Sequence, residues 1–316
     1  FILVVFQKGN ISGRTTKILI QFLAIADCTC LISFFVTSTL RAISSYTNWF
    51  DPYMGMYAIA YRYTWTLYDT TRLWSTLCVL AITVERYVAT CYPFKVKGMF
   101  TPLRVKIASV AILIFVIGFN LPKLFDSRPV RFDLCTNSWV IYGGYGVYMQ
   151  INGFAYAMIY LTLAYYAINC VVPLLCLIIM NARIVFTIRK SIGGGGLSLG
   201  KSDDIKAREK SKERTTTIMF SVVVVVFIIC QTWPFGISVT YMLDSWGVPG
   251  PNYGSRTYLY VIGSLLLTIN SSVNFLIYLI FSQRFRETLV QLICCGFLRG
   301  KGSETSTEMT QSSQLD

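Results

Sequence analysis

The stretch Asn270-Ser271-Ser272-Val273-Asn274-Phe275-Leu276-Ile277-Tyr278, followed shortly by Ser282-Gln283-Arg284-Phe285-Arg286, sets polar amides inside an otherwise apolar run and stops abruptly at basic residues. Two Asn and two Ser within about a turn and a half are costly in hydrocarbon unless neighbouring helices satisfy them. The segment is therefore predicted to be a membrane helix whose polar face looks into the interior of a bundle. A plain anchor would have been apolar throughout.

Outward from this stretch the same pattern recurs. Hydrophobic residues make up 54% of the 316, charged residues only 14%. The apolar residues gather into blocks of the roughly 20 residues needed to cross a bilayer at ~1.5 Å per residue. The blocks run from Lys17 to Leu40, Tyr57 to Thr90, Leu103 to Phe125, Ile151 to Ile188, Thr215 to Leu243 and Tyr258 to Phe281. Phe1 to Phe6 is apolar but too short to span, so the chain reads as beginning inside an earlier helix. No cleavable signal peptide is visible. The expected fold is an all-α, seven-transmembrane helix bundle with its first helix mostly missing.

Basic loop residues stay on the cytoplasmic side, and here they alternate. Lys8, Arg14 and Lys17 precede the first complete block. Lys95, Lys97, Arg104 and Lys106 separate the second and third, Arg189 to Arg214 the fourth and fifth, and Arg284, Arg286, Arg299 and Lys301 follow the last. The opposite loops carry mixed charge at Asp51, Lys123, Asp126, Arg128, Arg131, Asp133 and Asp244. An outside N-terminus and a cytoplasmic C-terminal tail follow. The net charge of +13 is accounted for by topology and anionic lipid, not nucleic acid. The ten Cys lack metal-like clustering, and those within the blocks suit packing.

The soluble parts read simply. Ser191 to Ser202, with four consecutive Gly, is linker-like. The charged run Asp203 to Arg214 is expected to extend the next helix. Gln283 to Leu292 alternates Phe285, Leu289 and Leu292 with charges, which suits an amphipathic cytoplasmic helix on the membrane surface. Cys294 and Cys295 at its end are either lipidation sites or idle thiols. The expected division is a membrane domain over 1–293 and a disordered tail over 294–316, rich in Ser and Thr.

Three groups of residues carry chemistry. Glu85-Arg86-Tyr87 closes one helix at its inner end, where Arg86 must be paired or wetted and Glu85 is available; snorkelling of an interfacial Arg is the simpler reading. Asp27 is a carboxylate near the middle of a span. Ser75 lies eleven residues before Arg86, on the same face about 16 Å toward the outside. Asp69 and Arg72 are two charges in an outer half-helix, one turn apart, which either pair with each other or meet a ligand.

Read together, Leu23-Ala24-Ile25-Ala26-Asp27, Glu85-Arg86-Tyr87 with Pro93 beyond it, Pro173, Pro234 and Asn274 to Tyr278 resemble the rhodopsin-like (class A) G-protein-coupled receptors. The order and spacing hold over nearly the whole chain. Within that family the chain is most similar to invertebrate FMRFamide-type neuropeptide receptors, through Asn-Ser-Ser before Asn-Phe-Leu-Ile-Tyr and through Asn181 beyond Pro173. The resemblance implies an extracellular ligand, a neuropeptide in the first instance, and activation of a heterotrimeric G protein at the plasma membrane. It implies arrestin and a receptor kinase acting on the tail. Asp27, Ser75, Asn270 and Asn274 would line a sodium and water pocket, or else form a polar core without an ion; no other cofactor is expected. Glu85, Arg86, Tyr87, Asn181 and Tyr278 would couple to the G protein. Asp69, Arg72, Tyr68, Trp65, Trp233 and Tyr241 would face the ligand, with Asp69 the natural partner of a ligand Arg.

The chain also departs from the family pattern. The position that would pair with Cys135 in a disulfide is Tyr61. The sixth-helix motif reads Cys230-Gln231-Thr232-Trp233-Pro234, with Trp one residue late and so rotated by ~100°. Arg214 stands where some receptors carry an acid facing the inner Arg. A retinal protein would need a Lys between Tyr258 and Phe281, and none is present; an enzyme lacks any His for general base work. A chemosensory or amine receptor of the same fold, or an ion channel, is the alternative.

Overall fold

The computed structural model describes residues 13–40, 43, 47, 51–125, 130–133, 138–141, 160, 163–193, 215, 217–233, 236, 253–281 and 285–291. Helix α1, Arg14–Phe34, continues into a π-helical turn over Phe35–Thr39. Its hydroxyls are tolerated in an apolar span because each returns to the preceding turn. Thr29 donates to the Ile25 carbonyl at 2.8 Å, Ser33 to that of Thr29 at 2.7 Å and Thr37 to that of Ser33 at 2.7 Å.

Helix α2, Asp51–Cys91, is 41 residues long, about 60 Å at the α-helical rise. It packs against α1, α4 (Pro102–Phe125) and α5 (Val172–Gly193). Two expectations are corrected by these bounds. Asp51 begins α2 six residues before the apolar block at Tyr57, since an Asp-Pro start suits a helix N-terminus. Lys123 belongs to the last turn of α4 and not to a loop. Between α2 and α4 lies the short helix α3, Pro93–Met99, again opened by Pro.

Beyond α4, strands β1 (Val130–Asp133) and β2 (Ser138–Ile141) form an antiparallel hairpin, Val130 opposite Ile141 and Asp133 opposite Ser138. This small addition to an otherwise helical fold was not expected, although Val130-Arg131-Phe132-Asp133 alternates apolar and polar residues as a strand does. A π-helical turn over Ala167–Val171 precedes α5. Pro173 lacks the N–H that the Asn169 carbonyl would accept four residues back, which loosens the ladder there.

Helix α6, Thr217–Trp233, is the described part of the fifth complete block. Helix α7 is Tyr253–Phe281, and residues 285–291 form α8. The core is shared by Leu23 of α1, Leu73 and Val79 of α2, Val116 of α4, Leu177 of α5, Phe220 and Phe227 of α6, and Ile277 of α7. Phe285 is wholly buried and Leu289 packs on the same cluster, while Arg286 and Glu287 are exposed. The amphipathic expectation thus takes the form of a helix anchored on the bundle by its aromatic residue.

Large apolar side chains such as Ile32, Leu103, Ile114, Ile179 and Ile280 are exposed, as hydrocarbon-facing residues are. Helices over Arg14–Thr39, Pro102–Leu124 and Ala167–Lys190 are long and apolar enough to cross a membrane by themselves. The Phe1–Phe6 stub, most of the glycine linker, the run to Arg214, Cys135, Pro234, Tyr241, Cys294, Cys295 and the tail lie outside the described residues. Tyr61 is in α2.

Candidate functional site

Three polar stations follow one another along the bundle. At the middle one, Asp27 of α1 is buried and both its carboxylate oxygens are used. Oδ1 accepts from Ser75 Oγ of α2 at 2.6 Å, and Oδ2 accepts from Asn274 Nδ2 of α7 at 2.8 Å. Residues remote in sequence are thereby joined across three helices, as the polar amides of α7 predict. Asn270 is buried one turn away and lines a small cavity with Cys30, Arg72, Ser75, Thr76, Gln231, Leu267 and Ser271.

The Arg86 end has a different construction. Arg86 Nη2 donates to Thr16 Oγ1 of α1, and its guanidinium lies 3.5 Å from Glu85 Oε2. Glu85 Oε1 accepts from Thr15 at 2.6 Å and from Thr16 at 2.8 Å. The Thr16 hydroxyl therefore bridges the acid and the base, and the guanidinium also sits 5.3 Å from the Phe220 ring of α6. Arg86 is held between helices, not snorkelling. Sequence reasoning missed Thr15 and Thr16, whose only signal is a polar pair at the mouth of a span.

Around this clasp, Tyr87 packs edge-on to Tyr92 at 5.9 Å. Asn181 of α5 is buried with its side-chain oxygen unpaired. Tyr278 belongs to α7, but its side chain lies outside the described set. Phe94, also unforeseen, projects from α3 with 99% of its surface exposed.

At the Asp69 end the Asp69–Arg72 pair is present but not self-contained. Arg72 Nη2 stands 3.9 Å from Asp69 Oδ1, whereas Lys123 Nζ of α4 reaches Asp69 Oδ2 at 2.6 Å. With Lys123 in the last turn of α4, its stem spans the gap and the shorter contact wins. Arg72 turns instead to Tyr165, donating to its hydroxyl at 3.0 Å, and Lys123 lies 3.8 Å over the same ring. Two cations thus share one buried carboxylate and one phenol. Neither Lys123 nor Tyr165 was singled out from sequence, because their partners come from other helices.

The aromatic candidates divide. Tyr68 is buried and meets Trp65 at 5.8 Å and Phe34 at 5.7 Å. Trp233 is 39% exposed and donates its indole N–H to the Leu259 carbonyl of α7 at 3.1 Å. The α6 side chain that faces inward near the cavity is Gln231. The displaced Trp is rotated away from the interior, which corrects the expectation that it faces the ligand.

A family model described as 7 transmembrane receptor (rhodopsin family) matches residues 1–278. The FMRFamide receptor of Drosophila melanogaster is 24% identical over 271 residues, covering 85% of this chain and 46% of the relative. The FMRFamide peptide receptor frpr-18 of Caenorhabditis elegans is 25% identical over 247 residues, 76% of this chain and 54% of the relative. Somatostatin receptor type 5 of Rattus norvegicus is 26% identical over 290 residues, 92% and 71% respectively. The chain spans about half the length of the two FMRFamide relatives. With the apolar helices, the buried Asp27 junction and the Arg86 clasp in the family's order, the chain is a multi-pass membrane protein and belongs to the rhodopsin family of seven-transmembrane receptors.

Proposed function

We propose that the chain binds an extracellular peptide at the Asp69 end and, in response, activates a heterotrimeric G protein at the Arg86 end. The observation that carries this reading is the Arg86 clasp. A half-buried cation is held by Thr16 and Glu85 through contacts that a modest separation of α1, α2 and α6 would release. Such a separation exposes the guanidinium, together with Tyr87, Asn181 and Tyr278, to a cytoplasmic partner. The peptide shifts this equilibrium only by its differential affinity for the two states.

The orientation rests on the basic residues Lys95, Arg104, Arg183, Arg189 and Lys190, which lie toward the Arg86 end of their helices. The peptide class is supported by the relatives, named as receptors for FMRFamide and somatostatin. The ligand site comprises Asp69 and Arg72 with Trp65 and Tyr68 beside them. A ligand Arg would have to displace Lys123 from Asp69, and a small amine faces the same competition, which favours the larger ligand. The receptor resides in the plasma membrane, with lipid attached at Cys294 and Cys295 and with arrestin and a kinase using the Ser- and Thr-rich tail.

The carboxylate, hydroxyls and amides around Asp27 are hard oxygen donors that fit sodium, with Asp27, Ser75, Asn270 and Asn274 as its holders. A bound sodium ion would supply a neutralising charge to Asp27. The decisive experiment is a cellular G-protein reporter assay of the full chain against a library of amidated peptides. A response to at least one peptide is expected. No response to any of them, together with a ligand-gated current, would overturn the reading in favour of a channel.

A further inference from the structure

We propose that Gln231 and Arg72 form the polar link by which the Asp69 end is coupled to α6, the work that the family pattern would give to a tryptophan in this helix. The inference rests on the receptor reading above for its functional meaning, but the link itself is a matter of geometry. Gln231 is buried, and its side-chain oxygen has no hydrogen-bond partner. Arg72 Nε is likewise buried and without one. One group is an acceptor and the other a donor, and both residues line the same cavity of about 10 Å³. That space admits a single water, which could accept from Nε–H and donate to the amide oxygen. Two orphaned buried groups would be satisfied at once.

The rest of each side chain points the same way. The Gln231 amide nitrogen donates to Thr76 Oγ1 at 3.5 Å, a long bond that leaves the amide free to adjust. Arg72 is committed at its other end, to Tyr165 at 3.0 Å and toward Asp69 at 3.9 Å. It is the described residue that belongs both to the charged cluster and to the cavity wall. A ligand that rearranges the cluster must therefore move the group facing Gln231. Trp233, exposed and tied to Leu259, stands outside this path.

The test is a double-mutant cycle on the purified full chain in detergent, read as the thermal midpoint, with guanine-nucleotide exchange on a G protein measured in parallel using GTPγS and no ligand. Gln231→Glu places a carboxylate opposite the guanidinium. It should raise the midpoint when Arg72 is present and lower it in the Arg72→Gln background, and it should change basal exchange at least two-fold in the wild-type background. Should Arg72→Gln fail to fold, Gln231→Glu is compared with Gln231→Met, and the link requires the Glu variant to melt higher. Additive midpoints, or Glu melting no higher than Met, would overturn the link. A coupled midpoint with basal exchange unchanged would overturn its role in transmission. The receptor reading is decided separately by the peptide-library assay, and the midpoints decide the link whatever that assay returns.

Discussion

Removing the carboxylate at Asp69 should destabilise the bundle more than removing either cation that faces it. Lys123 Nζ lies 2.6 Å and Arg72 Nη2 3.9 Å from the two carboxylate oxygens, with side-chain exposures of 13% and 14% against 8% for Asp69. At an effective dielectric of about 20, those separations correspond to attractions of about 6 and about 4 kcal/mol before the cost of desolvation. Asp69→Asn abolishes both and leaves two half-buried cations facing one another. Breaking a buried pair typically costs about 3–5 kcal/mol, equivalent to a fall of roughly 10 °C in the melting midpoint of a domain of this order of size. Lys123→Met leaves Asp69 with Arg72 as its remaining counter-ion and should cost less, and Asp69→Leu with Lys123→Met should be milder than the sum of the two single changes. The assay is thermal unfolding of the purified chain in detergent. Strict additivity of the two single variants within about 0.5 kcal/mol would refute the ion pair, because residues in contact do not behave independently.

Arg86→Ala should abolish G-protein activation in a reporter assay while binding of a responding peptide stays within a few fold; normal signalling would remove Arg86 from the mechanism. Asp27→Asn should weaken any dependence of peptide affinity on sodium concentration, and an unchanged salt response would mean an ion-free polar core. Phe285→Ala should lower stability by about 3–5 kcal/mol, as expected for a wholly buried ring. Phe94→Ala should stay within about 0.5 kcal/mol of wild type, since that ring is fully exposed; comparable losses at both positions would contradict the described packing.

The membrane class was legible because hydrocarbon imposes so strict a length and polarity rule that apolar blocks declare themselves. That Asp27 needs partners was legible for a related reason, but its grouping with Ser75 and Asn274 came from the family resemblance, and the two do donate to its carboxylate. Lys123 was not, because its place at the end of α4 looks like a loop charge until the helix is known to run on. Tyr165 and Thr16 were hidden for the same cause, being ordinary residue types whose roles are conferred by a neighbouring helix. The one-residue shift of Trp233 signalled a rotation, yet that it turns outward and that Gln231 faces the space within could be seen only once the two side chains were placed.

The π-helical turn over Ala167–Val171 separates Tyr165, which meets Arg72, from Asn181, which is buried toward the opposite end of the same rod. Sixteen positions of regular α-helix would set two side chains about 160° apart, on nearly opposing sides. Absorbing one residue in a wide turn brings that angle to about 60°, so both can point inward together. Were all sixteen positions wound as regular α-helix, that shared azimuth would be lost: either Tyr165 or Asn181 would swing out to the lipid, and one rod could no longer serve both ends of the molecule.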